Sequence, residues 1–272
     1  MRLSEIRQIL DERGIKLTKS LGQNFLHDGN QLRRIADLAE LSNTDRVLEI
    51  GPGLGPLTAL LVERADEVLA IEKDKRLCEV LRERRPDLRL IHADALEYLQ
   101  TNSSDWRDWK LVANLPYSVA SPIIVELAQA AQPPTLMVVT LQLEVVRRLV
   151  AKAGSADYGL LTLLVQLHYE PRENFKIPPR CFFPPPDVDS ACIKLVRRKS
   201  PLLVKEAEPA FRKLVKRGFS QRRKMMLKLL KQDWPGDRLQ AGFATVGLPE
   251  TIRAEQVDLL TFVKLAEILH RP

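Results

Sequence analysis

Four consecutive residues, Asn114, Leu115, Pro116 and Tyr117, have the types and order needed to act on an aromatic amine. The lone pair of adenine N6 is delocalised into the ring, so this nitrogen is a poor nucleophile until the lone pair is localised. Two acceptors bonded to its two N–H groups would pull it toward tetrahedral geometry and aim the lone pair at an electrophilic carbon. Asn114 offers a side-chain carbonyl and Leu115 a main-chain carbonyl, while Pro116 fixes the turn and adds no competing N–H. Tyr117 offers a ring on which the base can stack. A base in a helix hides its reactive edge, so such a site works on an unpaired or flipped-out nucleotide gripped by aromatic faces. Phe182, ahead of a proline run, is the second stacking candidate; the competing reading is a core aromatic beside a rigid loop. No general base is needed, because the alkylated nitrogen is acidic enough to lose its proton to water.

A second cluster would hold the carbon donor. Glu49-Ile50-Gly51-Pro52-Gly53-Leu54-Gly55 follows one apolar run and opens a helical one. Glycines such as Gly51 and Gly53 let the backbone turn sharply and approach a ligand without Cβ clashes. A dinucleotide fingerprint would place its third glycine at 56, where this chain has Pro56. Glu72 lies 21 residues after Gly51, where a carboxylate accepts from ribose hydroxyls of either a dinucleotide or S-adenosylmethionine. Asp94 favours the latter, since a carboxylate after the third strand can accept from the adenine amine of S-adenosylmethionine. Singly, each acid is commonly a helix cap or a loop charge. Together, three features at three successive strand ends make methyl transfer from S-adenosylmethionine the expected chemistry.

These residues need a scaffold that puts strand ends on one rim. Apolar runs over 47–50, 68–71, 88–92, 111–113 and 136–141 alternate with helical periodicity over 54–64, 75–84 and 121–131. That alternation predicts a doubly wound α/β domain of Rossmann-like type, with a parallel sheet covered by helices. After a helical stretch over 142–151, the runs 160–169 and 191–196 read as two further strands, an antiparallel pair closing the sheet. The Pro-rich stretch between them cannot continue a central strand. Past Pro201 the period is helical, which predicts a small all-α C-terminal domain. The expected division is therefore 1–200 for the methyltransferase domain and 201–272 for a helical basic domain that contacts RNA.

Charge supports a polyanionic partner. The chain carries +7 in all, yet the stretch 197–231 holds thirteen Lys and Arg against two Glu, a local +11. The rest, with 29 basic and 33 acidic residues, carries −4. A charge run can also do no more than solvate a helix face. Three cysteines without CxxC spacing and four scattered histidines imply neither a disulfide framework nor a metal site. No apolar run is long enough to span a bilayer, and 1–13 interleaves charges with apolar residues, unlike a secretory signal. A cytoplasmic monomer is expected. On the residues alone, a DNA adenine methylase or a small-molecule methyltransferase stays open, although the former more typically carries Asp and two prolines in the corresponding turn.

Beyond these readings, the chain resembles the ribosomal RNA adenine-N6 dimethyltransferase family, in particular its bacterial small-subunit branch. The resemblance covers nearly the whole length. It is carried by Lys19 to Leu26 (K-S-L-G-Q-N-F-L), Glu49 to Gly55, Asn114 to Tyr117, Tyr158 to Leu161, Phe182 to Ser190 in the form F-x-P-x-P-x-V-D-S, and Gln221-Arg222-Arg223-Lys224. It implies cofactor contacts at Asn24, Leu26, Gly51, Glu72, Asp94 and Asn114, and RNA contacts at Arg222, Arg223 and Lys224. It also implies two successive methyl transfers to each of two adjacent adenines near the 3′ end of 16S ribosomal RNA, in the small subunit or its precursor. Residues alone would have left Gln23 to Leu26 as an anchored loop. Leu143, where the family usually has a basic residue, and Met225 to Lys228 depart from the family pattern. The alternatives are a large-subunit RNA methylase and a non-catalytic RNA- or DNA-binding assembly factor.

Overall fold

A computed structural model describes residues 1–17, 22–102, 104–221 and 223–270. In chain order the elements of the first part are α1 (Leu3–Glu12), β1 (Phe25–Leu26), α2 (Gly29–Leu38), β2 (Arg46–Ile50), α3 (Pro56–Val62), β3 (Glu67–Glu72), α4 (Lys75–Arg84), β4 (Arg89–His92), α5 (Ala95–Thr101), β5 (Trp109–Asn114), α6 (Ala120–Ala128) and β6 (Leu136–Gln142). There follow α7 (Leu143–Val150), α8 (Leu160–Gln166), β7 (Tyr169–Ile177), β8 (Phe182–Phe183), β9 (Ser190–Arg197), α9 (Glu208–Gly218), α10 (Met226–Leu230), α11 (Gly236–Thr245) and α12 (Leu259–His270).

Seven strands form one sheet in the order β4-β3-β2-β5-β6-β9-β7, while β1 and β8 form a separate antiparallel pair. The strands β4, β3, β2, β5 and β6 run parallel to their neighbours, and β9 runs antiparallel to β6. Parallel neighbours need crossover helices; the periodic stretches supply α3, α4 and α6, while α5, between β4 and β5, lies outside the stretches expected to be helical. For α4, Asp74 starts the helix by accepting from Arg76 N, and Leu77, Cys78, Val80 and Leu81 form its buried face. Because chain order reverses between β2 and β5, the loops after these strands part and leave a crevice at the carboxyl rim. The glycine turn follows β2, and Asn114 to Tyr117 follow β5.

Two expectations need correction. The apolar run at 160–169 is not a strand: α8 occupies Leu160–Gln166. Apolar periodicity cannot separate a buried strand from a buried helix. Here the helix wins at its start, where Thr162 Oγ1 accepts from Gly159 N and donates to Arg148 O. The strand is instead β7, polar along much of its length and containing Pro171, which is tolerated because β7 is the edge of the sheet.

The single cut after residue 200 also differs from the packing. The chain forms one compact unit from Met1–Val146 and Glu170–Arg197, and another from Arg147–Tyr169 and Arg198–Pro272. Tyr158, Leu163 and Leu167 are buried in one cluster with Phe211, Leu214, Met226, Phe243, Phe262 and Leu265. Tyr158 Oη donates to Val257 O at 2.9 Å, and Gly154 N to Glu255 O at 2.7 Å. The segment 147–169 therefore belongs to the helical unit.

Candidate active site

In the larger unit the carboxyl rim opens into a cleft of about 1100 Å³, counted out to its mouth. Its lining includes Asn24, Leu26, Gly51, Gly53, Glu72, Asp94, Asn114, Leu115, Pro116 and Tyr117. Residues dispersed over more than ninety positions thus meet in one place.

The floor is made by absence of side chains. Gly51 has φ +69°, and a Cβ there would lie 3.2 Å from the Pro116 ring. At Gly53, φ +62°, a Cβ would lie 2.7 Å from Phe25 Cε1, closer than packed atoms approach. Glycine is required at Gly53 by both torsion and space. Glu72 ties the turn to the end of β3: one carboxylate oxygen accepts from Gly53 N at 3.1 Å, the other from Asp74 N at 2.9 Å. Burial pushes the Glu72 carboxyl above its ordinary range. Glu49, at the foot of the turn, is fully buried, and burial raises its pKa to about 8.

The opposite wall comes from Asn114 to Tyr117. Asn114 Nδ2 donates to Asn24 O at 3.0 Å, whereas its Oδ1 is buried without a hydrogen-bond partner among the described residues. An orphaned buried acceptor costs about 1–3 kcal/mol, so a site that keeps one is built to receive a donor. Leu115 N donates to Thr140 O at 3.2 Å, and Val119 N to Pro116 O at 3.2 Å, which fixes the turn. The Tyr117 hydroxyl pairs with Ser190 Oγ at the start of β9, which anchors the phenol.

The segment Gln23 to Leu26 enters through its backbone. Asn24 holds Asn114 by its main-chain carbonyl, and Gln23 Nε2 donates to Asp74 Oδ2 at 2.9 Å. Leu26 pairs with Phe182, and Phe25 with Phe183. This pairing matches the second of the two readings offered for Phe182, a core aromatic beside a rigid loop. Its ring is 2% exposed, packs in a core cluster with Leu26, Leu32, Ile177 and Cys181, and does not line the cleft. In this conformation it supports the rim and offers no face to a base.

Of the basic triplet, Arg222 lies outside the described residues, as do Lys19, Ser20 and Leu21 of the motif that precedes Asn24. Arg223 and Lys224 are exposed between α9 and α10 in the helical unit, where Lys224 N closes a turn on Gln221 O at 3.0 Å. Residue-level reasoning missed Phe25, Gln23 and Ser190 as supports. Ser190 ends the F-x-P-x-P-x-V-D-S motif, while nothing in the types of the other two betrays a role that depends on a gap at Gly53 and a cap at Asp74.

Comparison with known proteins identifies the family. The profile of the family described as ribosomal RNA adenine dimethylase matches residues 14–271. The chain is 39% identical to the ribosomal RNA small subunit methyltransferase A of Geobacillus kaustophilus, over 97% of this chain and 94% of the relative. The solved structure of the 23S rRNA methyltransferase ErmE is 31% identical with a TM-score of 0.69, covering 91% of this chain and 100% of that one. A dimethyladenosine transferase from Plasmodium falciparum, 24% identical with a TM-score of 0.76 over 89% of this chain and 95% of that one, shares the fold.

Proposed function

The chain belongs to the ribosomal RNA adenine dimethylase family, and from that premise we propose that it transfers methyl groups from S-adenosylmethionine to N6 of two adjacent adenines near the 3′ end of 16S ribosomal RNA. The reading makes it a cytoplasmic enzyme of small-subunit biogenesis acting as a monomer. The observation that carries it is the buried, unpartnered Oδ1 of Asn114, set on a proline-locked turn in a cleft with a glycine floor.

The residues fit the cofactor. Gly51 and Gly53 leave open backbone, Glu72 presents carboxylate oxygens at the end of β3 for ribose hydroxyls, and Asp94 stands after β4 for a purine amine, with Asn24 and Leu26 on the facing wall. When bound, S-adenosylmethionine supplies an electrophilic methyl group on a sulfonium. Asn114 Oδ1 and the Leu115 carbonyl accept the two N–H groups of the target amine and localise its lone pair. Tyr117 stacks on the base, its tilt held by Ser190. Rotation of the amine after a first transfer leaves one N–H for one of these acceptors, so a monomethylated base can be held for a second. The proton leaves to water.

The small-subunit target is supported by the name of the Geobacillus relative, and ErmE is named for the other subunit. The protein should therefore be incubated with labelled cofactor and unmethylated small subunits, and in parallel with large subunits, and the modified nucleotides mapped by mass spectrometry. Dimethylation of two neighbouring adenines in 16S RNA is expected; label confined to 23S RNA overturns the substrate assignment.

A further inference from the structure

Asp94 is the acid assigned to the purine amine of the cofactor, yet most of its acceptor capacity is already in use. Oδ1 accepts from Leu96 N at 2.9 Å and from Glu97 N at 3.2 Å, which caps α5. Oδ2 accepts from Lys73 Nζ at 2.8 Å. The Lys73 side chain is 58% exposed and that of Asp94 27%. Both residues line the cleft, and the carbonyl of Lys73 accepts from His92 Nε2 at 3.2 Å, so its backbone is held while the long stem offers the ammonium other rotamers. The bond between them raises the Lys73 ammonium above its ordinary range and lowers the Asp94 carboxyl below its own.

We infer that cofactor capture in this chain is an exchange of partners at Asp94, in which the Lys73 ammonium competes with the purine 6-amino group for the one carboxylate oxygen not spent on capping α5. The inference rests on the S-adenosylmethionine reading above and adds to it an affinity- and specificity-setting residue. Part of the energy gained by the incoming amine goes into loosening an ion pair. Exposed ion pairs are weak and screened by salt, so the opposition is modest and fades as salt rises. A ligand with a 6-oxo group brings an acceptor in place of a donor. Lys73 can donate to that oxygen, so the same lysine narrows the preference for the amino purine.

Calorimetry with the unreactive product S-adenosylhomocysteine tests the exchange without turnover. Lys73→Met keeps the aliphatic stem and removes the charge, while Asp94→Asn keeps the cap of α5 and weakens the ion pair. At low salt Lys73→Met should bind roughly two- to fivefold more tightly than the wild type, the size of an exposed ion pair. The gain should shrink at high salt and vanish in the Asp94→Asn background. The preference for S-adenosylhomocysteine over its inosyl analogue should widen in Lys73→Met. Unchanged or weaker binding by Lys73→Met at low salt overturns the inference, as does a gain that persists in Asp94→Asn. A wild type that binds no S-adenosylhomocysteine overturns the cofactor reading itself, whereas binding without the lysine effect sinks the inference alone.

Discussion

The cleft of the larger unit and the basic stretch of the helical unit hold their polar groups in opposite ways. In the cleft Glu49 and Glu72 are nearly fully buried, as is Asp74 beside it, and the polar atoms are tied to named donors or, as at Asn114 Oδ1, left without a partner among the described residues. In the basic stretch the charge stands in solvent, and part of it is already neutralised: Asp233 pairs with both Lys213 and Arg217, and Glu208 with Arg212. Methyl transfer demands positions held to fractions of an ångström, whereas a phosphate backbone is attracted by charge at the surface with far looser geometry. Glu208 is already counted in the local +11, and Asp233, just outside the stretch, takes one further charge off what a polyanion would meet, while each cleft residue counts individually.

The contrast is sharpened most by Asn114→Ala. Loss of an acceptor that acts on the reacting amine should lower turnover about a hundred- to a thousandfold, while affinity for S-adenosylhomocysteine falls less than in Glu72→Ala. Labelled transfer into unmethylated small subunits, read beside calorimetry, checks this, and equal turnover in Asn114→Ala would falsify the assignment. Phe182→Ala comes next. A ring buried in the core should cost about 3–5 kcal/mol of stability, seen as a lower denaturation midpoint. If the midpoint holds and only transfer drops, the ring works on the base after all, in a conformation different from the one described. The smallest effect belongs to the tail. Reversal of Arg223 and Lys224 to Glu should weaken RNA binding several-fold and flatten its salt dependence by about one to two in slope, leaving cofactor affinity unchanged. An unaltered slope would return those residues to mere solvation of the surface.

Much of the fold and cleft could be read from the residues because periodicity and strand-end chemistry are local signals. The five parallel strands fall where the apolar runs lie, and three of the four crossover helices, α3, α4 and α6, where apolar residues recur at three and four; the short α5 (Ala95–Thr101) escaped that reading. The misreadings have a common physical origin. A mostly apolar stretch such as 160–167 is equally at home in a helix or a strand, and the Thr162 bonds at its start favour the helix. An edge strand such as β7 carries no apolar signature, and its proline argues against it. Phe182 sits in a motif that draws attention to it, yet pairing with Leu26 across 156 positions, which no local pattern reports, turns its ring inward. Asn24 was invisible for a further reason: its contact with Asn114 is made by a main-chain carbonyl, which every residue type possesses.

The interrupted course of the helical unit bears on synthesis. Its first segment, 147–169, emerges from the ribosome long before its partners, since Val257 and the buried face of α12 come about a hundred residues later. A nascent chain stopped at residue 200 would present Tyr158, Leu163 and Leu167 without the later residues of the cluster that buries them. A fragment cut at residue 200 should accordingly need detergent or a chaperone to stay dispersed, and the safer dissection removes 147–169 together with the tail.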